Sequence, residues 1–403
     1  MDFQHVFARR TSRMKASEIR ELLKLLDQPG IISFAGGIPD ASYFPAEQFG
    51  AAYQAALSAE TSATALQYSI SEGYKPLRQW LAKEMQKLGV DCTVDNIMIT
   101  SGSQQALDYL GKMLLSPGDT ALINWPTYLG ALGAFNAYEP RYDKLSINGN
   151  RSAADFAAAA EAEGGRVKFA YLSADFANPT GETVDQRGRE NLIDLADELD
   201  CLIIEDGAYQ SLRYDGEVIP PILALEIARK GSIEDCRTVY CGSFSKTLSP
   251  GLRIGWVCGA MPLISQMVLL KQAGDLHVST INQMAINTVA ETHFDQHVAT
   301  LHSVYSVRRD AMLAALEEMM PKGVSWTKPE GGMFVWITLP AHLEANEVFK
   351  RALETEKVAF VPGQAFFADG TGKNTMRLAF SCADEATIRE GIRRLSSVIK
   401  GLL

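Results

Sequence analysis

Five groups of polar residues follow short apolar runs in this sequence, and each group carries side chains that can do chemistry. The groups are residues 101–105 (SGSQQ), 125–128 (WPTY), 178–181 (NPTG), 206–209 (DGAY) and 243–246 (SFSK). Ligands of a parallel sheet bind beyond the carboxyl ends of its strands, so groups that follow strands are expected to converge. Each group alone has an ordinary explanation as a helix cap, a turn or the start of a loop. Together they predict one crevice lined from five strand ends.

This combination of side chains suits a phosphorylated aromatic aldehyde. A lysine amine can bond to the aldehyde carbon, and an aspartate can keep a ring nitrogen protonated so that the ring absorbs carbanion charge. Helix-start amides, hydroxyl groups and an arginine can bind the phosphate. Pyridoxal 5'-phosphate makes all three demands, and it is the cofactor that the set predicts.

The elements that must position these groups alternate along the chain. Helical patterns such as Gln104–Leu115 and Arg189–Leu199 lie between short apolar runs. These runs are at residues 97–100, 120–123, 167–173, 201–205, 238–241 and 254–258. The alternation is typical of an α/β domain with a mostly parallel sheet.

The last hundred residues have a different pattern. A long helix is predicted from about Asp295 to Met320, followed by a strand at Met333–Leu339 and a closing helix after Ala386. We interpret this region as part of a second, smaller α+β domain.

Composition restricts the class of protein. The 403 residues are 47% hydrophobic and 21% charged, which predicts a folded chain with at least one large core. The net charge of -10 argues against a general nucleic-acid surface. The six cysteines include no CxxC pair, which predicts a reduced, cytoplasmic protein. The sequence has no long apolar run, so neither export nor a membrane span is expected. His293 and His297 lack the pattern of a metal site, so no metal is expected.

Residues 242–256 (GSFSKTLSPGLRIGW) resemble the lysine segment of the fold-type I pyridoxal-phosphate aminotransferases of class I and II. The resemblance extends over residues 13–380, in particular to the branch of 2-aminoadipate and kynurenine aminotransferases. It implies a mostly parallel, seven-stranded central sheet flanked by helices, with a smaller α+β domain. It also implies a homodimer with an active site shared between subunits. The implied reaction moves the amino group of an L-amino acid to a 2-oxo acid, with 2-oxoglutarate as the expected acceptor.

The resemblance and the element pattern together predict the domain boundaries. Residues 1–30 form an N-terminal arm and helix, and residues 50–294 form the large cofactor-binding domain. Residues 31–49 and 295–403 form the small domain.

The resemblance implies roles for the residues around the cofactor ring. Lys246 is expected to bond to the cofactor and then to move a proton between the substrate Cα and the cofactor. Asp206 is expected to pair with the ring nitrogen, and Tyr209 and Asn178 are expected to bind the phenolic oxygen. Tyr128 is expected to stack on the ring.

The phosphate is expected to be bound mainly by residues at helix starts and in loops. These residues are Ser103, Gln104, Ser243, Ser245 and Arg253. The resemblance implies in addition that Tyr68 sends its hydroxyl to the phosphate of the neighbouring subunit.

On the substrate side, Arg377 is expected to bind the α-carboxylate, because a planar guanidinium matches a carboxylate. Asn178 and Gly37 are expected to line the same site, with Gly37 letting the backbone approach closely. Arg20 lies on a helix predicted over Ser17–Leu26, and the resemblance implies that it meets a side-chain carboxylate. The alternative for Arg20 is an ordinary solvated arginine.

Other functions compete with transamination as interpretations of the sequence. A lyase or decarboxylase reaction on the same fold depends on pocket geometry, and sequence does not reveal that geometry. An aminotransferase-like regulator would need a DNA-binding head, for which no room is expected before Gly36. A serine acyltransferase would need K-T-G or S-D-N partners for residues 243–246, and neither occurs. The amino donor stays open between 2-aminoadipate, kynurenine, aromatic and branched aliphatic amino acids.

Overall fold

The computed structural model describes residues 3–14, 30–146 and 149–403. The predicted helix over Ser17–Leu26, with Arg20, lies outside the described residues. The α-helices are α1 (Ala46–Ala56), α2 (Ser62–Leu66), α3 (Lys75–Lys87), α4 (Ser103–Leu114), α5 (Leu129–Asn136), α6 (Ala153–Ala162), α7 (Gln186–Leu199), α8 (Ile222–Lys230), α9 (Met261–Gly274), α10 (Thr280–Met319), α11 (Ala345–Arg351) and α12 (Glu385–Lys400).

The strands are β1 (Ile32–Ser33), β2 (Ile97–Thr100), β3 (Thr120–Asn124), β4 (Arg141–Leu145), β5 (Val167–Leu172), β6 (Leu202–Asp206), β7 (Thr238–Ser243), β8 (Gly255–Cys258), β9 (Ser325–Trp326), β10 (Phe334–Thr338), β11 (Val358–Ala359), β12 (Val361–Pro362) and β13 (Thr375–Ala379). Short 3-10 turns occur at Gln4–Val6, Arg9–Arg13, Ala41–Tyr43, Val94–Asn96, Ile233–Asp235 and Gly363–Phe366, and a π turn at Ala352–Glu356.

The central sheet of the described chain has seven strands in the order β2-β8-β7-β6-β5-β3-β4. Neighbouring strands from β4 to β7 pair in parallel, and β8 is antiparallel to both β7 and β2. The carboxyl ends of β2, β3, β5, β6 and β7 therefore lie at one edge. Helices cover both faces, and for this reason β2 and β7 are buried at every position. The predicted mostly parallel α/β sheet is confirmed.

Strand β4 has no counterpart among the apolar runs of the sequence. Its segment RYDKL is largely polar, and only Leu145 is fully buried. The strand lies at the edge of the sheet and pairs with β3 alone, so it needs little apolar surface. Periodicity therefore gave no signal for it.

In the described residues, two small sheets lie outside the central one. Strands β12, β13, β10 and β9 form an antiparallel sheet, and β1 pairs in parallel with β11. A separate apolar core unites residues from these strands with α12 and the second half of α10, including Phe334, Leu378 and Ile392. This arrangement agrees with the predicted α+β region.

Helix α10 begins at Thr280, whereas the sequence predicted a start near Asp295. Its first part, including Ala285 and Val289, packs into the core around β2, and a later part, including Leu316, packs into the small-domain core. Because its first turns are buried on most sides, an amphipathic period is weak there. The predicted boundary at residues 294/295 falls inside this helix and stays a prediction. Among the described helices, none is long and apolar enough to cross a membrane.

Candidate active site

A cavity of about 220 Å³ lies at the carboxyl edge of the central sheet. It is lined by Ser103, Gln104, Tyr128, Ser173, Asn178, Asp206, Ala208, Tyr209, Ser243, Ser245, Lys246, Pro250 and Arg253. Every predicted cofactor residue except Tyr68 is in this set. The five strand ends therefore converge on one cavity, as expected.

Lys246 lies in the turn that follows β7, and its amine faces the cavity. Its Nζ donates a hydrogen bond to the carbonyl oxygen of Gly37 at 2.8 Å and lies 5.6 Å from the ring centre of Tyr209. Burial, followed by the positive charges of Arg377 and Arg253, lowers the pKa of Lys246 from 10.5 to about 8. Near neutral pH the neutral, nucleophilic form of this amine is therefore a minor fraction, but a far larger one than in an ordinary lysine.

This shift gives a pH-dependent prediction for the protein without any cofactor. The amine-selective acylation rate of Lys246 should rise with pH to a half-maximum near 8, because only the neutral form reacts and its pKa is about 8. Mass spectrometry of the labelled peptides measures the rate, with the exposed Lys322 as an internal reference. Arg377→Gln removes one of the two positive charges and should move the midpoint upward. A midpoint at the ordinary lysine value in the unaltered protein would contradict the electrostatic argument.

Asp206 is the last residue of β6, and its carboxylate is buried with 3% of its surface exposed. Its Oδ2 accepts a hydrogen bond from the Tyr171 hydroxyl at 2.9 Å, and its Oδ1 accepts one from the Ala208 amide at 3.2 Å. Burial raises the pKa of Asp206, although both hydrogen bonds and the charge of Lys246 oppose the rise. A cationic nitrogen beside this carboxylate would stabilise its charged form.

Arg377 is a buried guanidinium with 1% of its surface exposed, on strand β13. Its Nη1 donates to Asn178 Oδ1 and its Nη2 to the carbonyl oxygen of Ala35, both at 2.8 Å. Its Nε has no partner, and no carboxylate pairs with it within the described part of the chain. Burial lowers its pKa to about 10. A buried cation without a counter-ion is poised to receive an anion.

Asn178 connects Arg377 to Tyr209. Its Nδ2 donates to the Tyr209 hydroxyl at 3.5 Å, while its Oδ1 receives the bond from Arg377. Burial raises the pKa of Tyr209, so its hydroxyl stays protonated and can donate to an anionic oxygen in the cavity.

The start of helix α4 and Arg253 form a corner of the cavity whose donors are suited to an anion. Gly102, with φ +72°, precedes the helix, and a Cβ there would lie 2.4 Å from Arg253 Nη2. A Cβ at Gly255 would lie 2.7 Å from the Ser103 amide nitrogen. Side chains at these two glycines would fill the corner, and the first amides of a helix have no partner within it.

The remaining contacts of the corner come from the end of β7 and from the loops after β2 and β7. Arg253 donates to Ser245 Oγ at 3.4 Å and to two carbonyl oxygens, and the Ser245 amide donates to Ser243 Oγ at 3.1 Å. Gln104 instead donates its side-chain amide to the carbonyl oxygen of Gly130 at 2.7 Å, which anchors α5. Its side chain therefore binds the first turn of α5, and its backbone amide remains part of the corner.

Besides Arg377, two predicted residues that the structure describes do not line the cavity. Tyr68 is outside the cavity and 79% exposed, with its ring edge-on to His277 at 6.0 Å between centroids. Gly37 lies beside Lys246, and a Cβ there would meet the Phe334 ring at 2.5 Å, so a side chain does not fit. Arg20 lies outside the described residues.

Several residues around the cavity were not among the predicted site residues. Ser173, Ala208 and Pro250 line the cavity, and Phe334 lies under the Arg377 guanidinium with its centroid 4.3 Å away. Tyr171 sits in an apolar run and could not be distinguished from a core aromatic residue.

The chain is similar to known proteins both in sequence and in fold. The model of the family "Aminotransferase class I and II" matches residues 32–395. "Aromatic-amino-acid aminotransferase 1" of Thermococcus litoralis is 43% identical, over 99% of this chain and 95% of its own length.

Two solved structures are also similar. One is the α-aminoadipate aminotransferase of Thermus thermophilus, complexed with N-(5'-phosphopyridoxyl)-L-leucine (38% identity, TM-score 0.88, 100% of this chain and 99% of that one). The other is a Pyrococcus horikoshii kynurenine aminotransferase in complex with PMP, KYN as substrates and KYA as products (41% identity, TM-score 0.91, 100% and 98%).

Proposed function

We propose that this chain uses large apolar or aromatic L-amino acids and 2-aminoadipate as amino donors. The premise is that the chain belongs to the aminotransferases of class I and II. We propose 2-oxoglutarate as the acceptor. The reaction class and the cofactor are those of the family: the enzyme transfers an amino group from an amino acid to a 2-oxo acid with pyridoxal phosphate. The observation that carries the assignment is the cavity in which Lys246, Asp206 and the α4 corner face one another.

The cavity residues fit this cofactor at four places. The α4 corner with Ser243, Ser245 and Arg253 would hold the phosphate, and the buried Asp206 carboxylate would hold the ring nitrogen. When bound, pyridoxal phosphate supplies an electrophilic carbon for the amino group and a ring that withdraws electrons from the substrate Cα. Tyr128 would stack on the ring, and Tyr209 with Asn178 would donate to its phenolic oxygen.

In the reaction, Lys246 is the proton carrier at the substrate Cα. Its lowered pKa makes the neutral amine available as a base near neutral pH. Arg377 binds the α-carboxylate, so that the Cα–H bond is held in one orientation toward Lys246. Asn178 accepts a hydrogen bond from Arg377, and Gly37 lies against the same guanidinium.

The proposed donor range is supported by the charges around the cavity. Lys246 and Arg253 are the cations that line it in the described chain, and Arg377 lies behind Asn178. With Arg253 at the phosphate corner and Arg377 at the α-carboxylate, neither is left for an acidic side chain. A donor with an uncharged side chain needs no further cation, and we assign the acidic side chain of 2-aminoadipate to Arg20. The relatives named for aromatic amino acids, α-aminoadipate and kynurenine are consistent with a broad donor range.

Arg20→Ala tests this division of labour. We expect the half-reaction with 2-aminoadipate to lose about 10- to 100-fold in kcat/KM, the effect of one charge-assisted hydrogen bond. The half-reaction with leucine should stay within about twofold, as for an uncharged contact. Rapid-mixing absorbance with each donor alone measures both, and Arg10→Ala is the matched control from the exposed N-terminal segment. Equal losses with both donors, or no loss with either, would refute the role of Arg20.

We further propose a homodimer in the cytoplasm. Tyr68 is exposed beside Leu66 and Ile70, which are also exposed, and this surface would bring its hydroxyl to the partner's phosphate corner. The six cysteines are all free, as expected of a reduced compartment. The dimer predicts a mass in solution of twice the 44.0 kDa of one chain. A monomer with full activity would exclude the shared site.

We also propose the predicted domain boundaries without change. These are residues 1–30 for the N-terminal arm and helix, 50–294 for the large domain, and 31–49 with 295–403 for the small domain.

A donor panel tests the proposed function as a whole. The holoenzyme is incubated with 2-oxoglutarate and each of several L-amino acids, and glutamate, the new 2-oxo acid and ammonia are measured together. We expect glutamate and the 2-oxo acid in equal amounts, without ammonia. Ammonia in place of glutamate would favour a lyase reaction on the same fold, and carbon dioxide would favour decarboxylation.

A further inference from the structure

We infer that Tyr171 is a positioning residue that holds the Asp206 carboxylate ionised and oriented toward the cofactor ring nitrogen. This inference rests on the proposed role of Asp206. Tyr171 was not among the residues predicted from the sequence, and the lining of the cavity does not include it. Its effect must therefore be transmitted through Asp206.

The register of the sheet brings the two side chains together. Tyr171 on β5 is paired with Ile204 on β6, two residues before Asp206. Residues two apart on a strand face the same side, so Asp206 and the side chain of Tyr171 share one face of the sheet. The resulting hydrogen bond, from the Tyr171 hydroxyl to Asp206 Oδ2, is 2.9 Å long.

The phenol is itself held in place and stays a donor. Tyr171 is 1% exposed, and its ring meets Phe135 edge-on with 5.6 Å between centroids. Burial and the neighbouring charge of Asp206 raise the pKa of Tyr171 well above its ordinary value. The hydroxyl therefore stays protonated near neutral pH and is a donor to the ionised carboxylate.

The hydrogen bond matters because Asp206 has few donors. Within the described residues, the Tyr171 hydroxyl and the Ala208 amide are the two that it has. Without Tyr171, one oxygen of a buried carboxylate would lose its donor, and protonation of the carboxyl would become easier. A neutral Asp206 could not hold a charged ring nitrogen. Removal of the hydroxyl should thus weaken the interaction with that nitrogen specifically, in addition to any effect on stability.

Tyr171→Phe removes only this hydroxyl, and Tyr240→Phe is the matched control. Tyr240 is also buried, on strand β7 at the other side of β6, but its hydroxyl is directed to the carbonyl oxygen of Gly207. Affinity is measured by titrating each protein, freed of cofactor, with pyridoxal phosphate and with an analogue in which C–H replaces the ring nitrogen. The analogue has no group for Asp206 to bind.

We expect Tyr171→Phe to bind pyridoxal phosphate about 10- to 100-fold more weakly, the effect of losing a hydrogen bond to a charged group. Its affinity for the analogue should change less than twofold, and kcat should fall while KM for the donor stays nearly constant. Equal losses of affinity for both ligands, or a loss in Tyr240→Phe as large as in Tyr171→Phe, would overturn the inference in favour of a structural role. If the unaltered protein binds both ligands equally, the proposed role of Asp206 itself fails.

Discussion

Replacing Lys246 with alanine should lower the rate of transamination by at least about 10⁴-fold, the upper range for loss of a positioned general base. The variant also loses the amine that would bond to the cofactor, and the two losses act in the same direction. Lys246 faces the cavity from a turn between two well-packed strands, so the fold should persist. Single-turnover conversion of the donor to its 2-oxo acid measures the rate.

The controls for this prediction separate chemistry from folding. Lys322→Ala removes an exposed lysine in the loop after α10 and should leave the rate unchanged. Thermal unfolding should give similar midpoints for both variants. If Lys246→Ala turned over within tenfold of the unaltered enzyme, another base would have to act at the substrate Cα.

Arg377→Lys should raise the KM for every donor by roughly 10- to 100-fold or more. A charge-assisted hydrogen bond contributes about 1.5–3 kcal/mol, and a factor of ten corresponds to about 1.4 kcal/mol. The guanidinium already donates to Asn178 and Ala35, and its Nε is left without a partner in the described chain. Lysine cannot keep these contacts and bind a carboxylate at two points. Steady-state kinetics with a saturating acceptor measures the change.

Arg189→Lys is the matched control for a buried arginine. Arg189 is also fully buried, but it is paired with Asp175 at 2.8 Å and lies outside the cavity lining. This variant should lose stability while its KM values stay near those of the unaltered enzyme. If both variants raised KM equally, the effect of Arg377→Lys would reflect disturbed packing rather than carboxylate binding.

Most of the residues that line the cavity could be predicted from the sequence because they lie in local motifs. Lys246 and Arg253 lie in one continuous segment, and Asn178 lies in a turn of characteristic residues, so each could be recognised without knowledge of the fold. Once β2, β5, β6 and β7 were predicted to be parallel, their carboxyl ends had to meet. The cavity confirms that expectation.

The features that the sequence did not predict depend on contacts between distant segments. The sequence around Tyr171 is an apolar run, as for any aromatic residue of the core. Only the register of β5 against β6 brings its hydroxyl to Asp206. The bond from Lys246 to Gly37 joins residues far apart in the chain. Strand β4 was missed because an edge strand needs little apolar surface, and the early start of α10 was missed because that part is buried on most sides.

The most direct test of the account is to find where the cofactor is attached. The holoenzyme is reduced with borohydride to fix the covalent link, digested with trypsin and analysed by mass spectrometry. Trypsin does not cut after a modified lysine, so the cofactor mass should appear on a single peptide, residues 238–253, with Lys246 as the modified residue. Cofactor mass on another lysine, or on none, would contradict the assignment of Lys246 and the mechanism built on it.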